Sequence, residues 1–198
     1  MSVSVSAPLF RSLLRPLPIA TFHRSFAAQT APRTAASKMA QLKEGDQLPD
    51  VEVFDGDVSK KINMRELFKG KKGILFAVPG AFTPGCSAKH LPSYVKNIDK
   101  IKAKGAEVIA CLAVNDPFVM DAWGKEHKVG SNIHMLADPD GKFTKAVGLE
   151  LAANPVLGNA RSKRYSAIVE DGVVKKLNVE PDGTGTTCSL ADAIVNDL

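Results

Sequence analysis

Two uninterrupted apolar runs, residues 73–78 (GILFAV) and 106–114 (AEVIACLAV), constrain the fold of this chain more than any other feature. Short runs with β-branched residues and no polar alternation read as strands buried on both faces, as in a central sheet covered by helices. Each run is followed by a helical stretch. Residues 86–103 (CSAKHLPSYVKNIDKIKA) are broadly helical, with Pro92 expected to kink them and Gly105 to stop them. Residues 116–127 (DPFVMDAWGKEH) open with Asp116 as N-cap and Pro117 at the first helical position.

Further along, residues 133–137 (IHMLA) give another short strand, and 165–179 (YSAIVEDGVVKKLNV) a hairpin about an Asp171-Gly172 turn. Residues 189–197 close the chain as a helix, with Ser189 as cap and Leu190, Ile194 and Val195 as its apolar stripe. The order describes an α/β protein: a central mixed β-sheet flanked by helices, with a thioredoxin-like fold. A flavodoxin-like or dinucleotide-binding sheet would need a glycine-rich phosphate loop after the first strand, where this chain holds PGAFTPGC.

The net charge of +5 does not point to nucleic acid, because Arg11, Arg15, Arg24 and Arg33 all precede the first acidic residue, Glu44. Without them the body is nearly neutral. The leader, residues 1–37, combines those arginines with serines and apolar residues and has no acid, which is the composition of a mitochondrial transit peptide. The domain proper is then 40–198. A second start at Met39 would give a cytosolic form. No apolar stretch approaches the ~18 residues of a membrane span. Three cysteines (Cys86, Cys111, Cys188) form no CxxC pair, and four histidines show no ligand spacing. The expectation is thiol chemistry with no metal and no cofactor.

Cys86 follows a buried strand and a turn of Pro79, Gly80, Thr83, Pro84 and Gly85, and it opens a helix. Free backbone N–H groups and the positive helix end favour an anion there. Lowering a thiol pKa from ~8.5 by roughly 3 units takes about 4 kcal/mol, and a helix terminus supplies at most ~2. A cation is therefore required. Arg65, Arg161, Arg164, Lys89 and His90 are the candidates, and residue chemistry alone does not choose among them. Thr83 can add a hydroxyl hydrogen bond.

PGAFTPGCSAKHLP resembles the peroxiredoxin signature PxxxTxxC, through Pro79, Thr83 and Cys86. The resemblance runs over roughly 40–198 and is greatest to the atypical two-cysteine, type-five group. It implies a thioredoxin fold, Cys86 as the peroxidatic cysteine, Thr83 as its hydrogen-bonding partner and Arg164, in the KRYS segment, as the cation. It also implies Cys188 as the resolving cysteine in an intramolecular disulfide, with Cys111 inert in its apolar strand. Peroxides are the implied substrates and thioredoxin the implied reductant, with the chain a monomer or a weak non-covalent homodimer. The stretch LELAANPVLGNARSKR, where an apolar collar around the pocket is expected, looks shorter than in close relatives. The C-terminal NDL is a poor match to the peroxisomal SKL. Two rivals remain: a thiol–disulfide oxidoreductase, disfavoured by Lys89 where a CxxC pair would end, and a redox-sensing binding protein using the same thiol.

Overall fold

The GILFAV run lies at the centre of the sheet, flanked by strands on both sides. The structure is a computed structural model that describes residues 1–2, 40–152 and 155–198. Its elements in chain order are β1 (Glu52–Asp55), β2 (Lys61–Asn63), α1 (Met64–Leu67), β3 (Lys72–Val78), a π-helical turn (Cys86–His90), α2 (Leu91–Ala103), β4 (Val108–Ala113), α3 (Pro117–Glu126) and β5 (His134–Ala137). There follow α4 (Lys142–Ala146), β6 (Glu150–Leu151), β7 (Arg161–Ser162), β8 (Tyr165–Glu170), β9 (Val173–Val179), α5 (Ala191–Ile194) and a 3₁₀ turn (Val195–Asp197). The main sheet has the order β2-β1-β5-β4-β3-β8-β9, and β6 pairs with β7 apart from it. Strand β3 runs parallel to β4 and antiparallel to β8, so the sheet is mixed as expected.

Alternation along β3 divides the core. Ile74, Phe76 and Val78 face a layer with Tyr94, Ile101, Met120 and Trp123, while Leu75 and Ala77 face Phe68, Phe143 and Tyr165. Glycine is required at 73, where an added Cβ would lie 2.4 Å from the Val108 carbonyl oxygen. The β8–β9 hairpin turns through Asp171 (φ 49°) and Gly172 (φ 73°), the left-handed pair that a two-residue turn needs. Asp116 caps α3 as expected, its side chain accepting from the Val119 N–H.

Two local expectations are refined. The irregularity expected at Pro92 takes the form of a π-helical turn just before it, in which the Leu91 N–H bonds the Cys86 carbonyl. Proline then falls in the first turn of α2. Ser189 does not cap the last helix, because its hydroxyl donates to Glu180; the cap position is Leu190, and the helix is short, giving way to the 3₁₀ turn. Strands β1 and β2, with α1 and α4, were not anticipated. The leader reading falls on residues almost wholly outside those described. Among the described residues no helix is long and apolar enough to cross a membrane, and no cluster of ligating side chains could hold a metal ion.

Candidate active site

At the C-terminal edge of β3 the chain passes through buried Pro79 and Gly80 into a tight loop. The Ala81 N–H donates to the Asn115 side chain just beyond β4, at 3.0 Å, and the Thr83 hydroxyl donates to the Gly80 carbonyl, also at 3.0 Å. Between them Phe82 is exposed and held at φ 60°, a conformation unfavourable for a side chain of its size. The loop delivers Cys86, completely buried, into the first turn of helix. The π-helical geometry begins at the cysteine itself, and such turns concentrate at functional sites.

Arg164, just before β8, lies against this turn. It is only 3% exposed, and its Nη2 lies 3.3 Å from where a β-carbon on Gly85 would stand. Its Nε donates to the Thr184 carbonyl at 3.0 Å, and its backbone N–H to the Gly183 carbonyl at 2.8 Å. Nη1 is buried with no hydrogen-bond partner in the protein. A buried guanidinium N–H without an acceptor costs several kcal/mol unless an anion or a polar ligand comes to it. Because β8 is the antiparallel neighbour of β3, with Ala77 opposite Tyr165, the sheet itself carries this arginine to the cysteine end of the strand.

The other candidate cations separate. Arg65 donates to the Leu48 carbonyl at 3.0 Å and packs against Gly172 of the β8–β9 turn, and Lys89 is exposed. Arg161 is close: its Nη1 lies 3.6 Å from the β-carbon position of Gly80, but its two terminal nitrogens donate to the Val114 and Leu157 carbonyls at 2.8 and 2.9 Å. It ties the segment after β6 to the end of β4. His90 is buried against Phe76 and Tyr94 instead of lying on the helix surface, and burial, aided by the Arg164 charge, lowers its pKa to about 3. It is neutral and cannot serve as the cation. Its Nε2 meets the Ser189 carbonyl at 2.9 Å, and the Tyr94 hydroxyl donates to the same oxygen at 2.7 Å.

The three cysteines are free. Cys111 is buried at mid-strand in β4, paired with Phe76 on one side and Met135 on the other. Burial pushes its thiol well up, and a charge on Cys86 would push it further, against an opposing influence of Arg164. Cys188 is half-buried in the turn before α5, its Sγ donating to the Val179 carbonyl at 3.5 Å. Burial and the Glu180 carboxylate raise its pKa. Glu180 escaped sequence reasoning, yet it organises this turn. An acid in VEPDGTGTTCS, followed by small hydroxyl residues and with no base in the stretch, was the available signal. Surface cavities of about 380 and 560 Å³ lie one between the end of β1 and α3 and the other along β1, and include none of these side chains.

Residues 43–195 match the Redoxin family model. Over 98% of its length the chain is 42% identical to peroxiredoxin-2E, chloroplastic, of Arabidopsis thaliana, covering 87% of that protein. It is 40% identical to peroxiredoxin-2F, mitochondrial, of the same plant, across 78% of each. Among solved structures, reduced Prx3 of Vibrio vulnificus in complex with hydrogen peroxide is 44% identical with a TM-score of 0.74, over 79% of this chain and 99% of that one. Peroxiredoxin 5 of Alvinella pompejana is 48% identical with a TM-score of 0.67, over 72% and 92%. With a thioredoxin-like sheet, a buried cysteine in a PxxxTxxC turn and relatives of this kind, the chain belongs to the redoxin family and is a peroxiredoxin, a thiol peroxidase.

Proposed function

We propose that Cys86 is the peroxidatic cysteine of an atypical two-cysteine, type-five enzyme that reduces hydrogen peroxide and organic hydroperoxides. The observation that carries this reading is the unpartnered Nη1 of buried Arg164 beneath the Cys86 turn. The Cys86 thiolate attacks one peroxide oxygen and the O–O bond breaks. The sulfur becomes a sulfenic acid, and the departing oxygen takes a proton to leave as water or an alcohol. Arg164 neutralises the thiolate and donates to the peroxide oxygens as charge shifts between them. Thr83, by turning its hydroxyl from the Gly80 carbonyl, adds a donor, and Pro79 fixes the loop that carries both.

Cys188 then displaces the sulfenic oxygen as water and forms the Cys86–Cys188 disulfide, which thioredoxin reduces. Cys111 is a real competitor, since its spacing from Cys86 resembles that of plant-like type-two members and the plant relatives are of that kind. Its position in β4, hydrogen-bonded to strands on both sides and with a raised pKa, argues against it. Cys86→Ser is expected to abolish turnover, Cys188→Ser to stop thioredoxin-dependent turnover after one peroxide per chain, and Cys111→Ser to stay near wild type. Peptide mapping of the oxidised protein without reductant reads the pairing directly. Cys86 joined chiefly to Cys111 would overturn it. A mitochondrial location, set by residues 1–37, completes the reading; the relatives named above include one chloroplastic and one mitochondrial protein.

A further inference from the structure

Glu180 is buried at the end of β9, and five donors converge on its carboxylate. They are the backbone N–H groups of Thr187, Cys188 and Ser189, each 2.9 Å from Oε1, and the hydroxyls of Thr187 and Ser189, each at 2.6 Å. Among the described residues no Lys, Arg or His forms an ion pair with it. The carboxylate is thus held by one three-residue segment, with Cys188 at its middle. Burial works against its ionisation, but the hydrogen bonds from Ser189, Thr187 and Cys188 outweigh that and hold its pKa at about 2. Hydrogen bonds to a charged acceptor are the strong ones, so the turn is fastened at neutral pH.

The far side of the segment is fastened too. The Ser189 carbonyl takes bonds from His90 and Tyr94, both on the helical stretch that begins with Cys86. Cys188 therefore sits between two clamps with its sulfur turned toward the Val179 carbonyl, while Cys86 is fully buried. A disulfide needs the side chains pointed at each other, so Cys188 must first turn its sulfur from the Val179 carbonyl, which the clamped turn resists.

We propose that Glu180 is the positioning residue that keeps Cys188 closed, and thereby governs how the Cys86 sulfenic acid divides between disulfide formation and a second oxidation. The proposal rests on the reading of Cys188 as the resolving cysteine. In the first branch the Cys188 thiolate attacks the sulfenic sulfur, an S–S bond forms, and hydroxide leaves to become water. In the second branch the sulfenate attacks another peroxide, whose O–O bond breaks; one oxygen stays as sulfinic acid and the other leaves as an alcohol or water. Glu180 slows the first branch in two ways. It fastens the turn, and its negative charge beside Cys188 disfavours the thiolate that must attack.

Glu180→Gln tests this. The amide keeps the size of the side chain but turns an NH₂ toward donors and removes the charge. Trp123, the only tryptophan, donates its indole N–H to the Ser87 hydroxyl next to Cys86 and gives an intrinsic fluorescence signal for stopped-flow single turnovers. The peroxide-dependent first phase should keep its rate, and the peroxide-independent second phase should quicken roughly tenfold or more. Mass spectrometry at high hydrogen peroxide should find several-fold less sulfinic acid. An unchanged or slower second phase, with the Cys86–Cys188 disulfide formed in both proteins, would overturn the role of Glu180 and leave the resolving cysteine standing. Failure of wild type to form that disulfide at all would overturn the reading beneath it. Should Glu180→Gln not fold, Thr187→Val and Ser189→Ala each remove one hydroxyl donor to the carboxylate and carry the same expectation at smaller size; an unchanged second phase in both would refute it.

Discussion

Replacing Arg164 by alanine removes the cation beneath the Cys86 turn together with two groups of donors that have different work. Nε holds the Thr184 carbonyl at 3.0 Å, a bond to a charged donor worth about 1.5–3 kcal/mol. Part of that loss is offset, because a buried guanidinium with an orphaned Nη1 no longer has to be desolvated. The mutant should fold. The terminal nitrogens, by contrast, lack a protein acceptor at Nη1 and lie against Gly85 of the Cys86 turn at Nη2, and on the proposed reading thiolate and peroxide complete their bonds. Losing one donor that acts on developing charge costs about 2.7–4 kcal/mol, or a 10²–10³-fold fall in rate. Stopped-flow measurement of the peroxide-dependent phase, at saturating reductant and at several pH values, reads this directly. Raising the pH past ~8.5, where an ordinary thiol ionises, should restore only part of the loss, because nucleophile charge is one of two contributions. Full recovery at high pH, or a loss below tenfold, would refute a transition-state role for this guanidinium.

Gly73→Ala puts a methyl group 2.4 Å from the Val108 carbonyl and forces β3 from β4, so urea denaturation should show a loss of about 1–3 kcal/mol or more with the first oxidation step altered as well. Burial disfavours the Asp55 carboxylate, but hydrogen bonds from His134 and Lys60 outweigh it and hold the pKa at about 2, below the ordinary 3.8. A depressed carboxyl stabilises the fold above its unfolded pKa and loses that contribution as pH falls through the folded one. Wild type should thus lose stability from about pH 4 down to pH 2, and Asp55→Asn should show a shallower decline in acid melts; parallel curves would contradict it. Residues 1–36 fused to a fluorescent protein should direct it to mitochondria, and the same reporter fused to a chain that begins at Met39 should remain diffuse in the cytosol.

The parts of the site that were legible in the sequence are those whose meaning is local. Pro79, Thr83 and Cys86 lie in one turn, and the buried runs that became β3 and β4 show their character without reference to anything distant. Strands β1 (EVFD) and β2 (KIN) did not show themselves, because they are short, partly exposed and carry charges at strand positions. The burial of His90 was not legible for another reason: it depends on the distant segment carrying Ser189, whose carbonyl meets the ring. Ser189 has the chemistry of a cap, but a buried carboxylate took its hydroxyl, and that competition exists only once the loop has curled back. Composition sees the donor and not the acceptor that wins it.

The pairing of β3 with β8 has a consequence for the life of the chain before it is mature. Cys86 leaves one of these strands and Arg164 enters the other, and the register that sets Ala77 opposite Tyr165 joins segments separated by nearly half the sequence. Contacts of such long range close after local ones, because the loop between them must first lose its freedom. A ribosome-bound or translocating chain that has exposed Cys86 but not yet paired β8 carries an unassisted thiol. On the proposed reading, Arg164 reaches the Cys86 thiol only when β8 pairs with β3, so a nascent chain gains its full reactivity toward peroxide after most of the domain has been made.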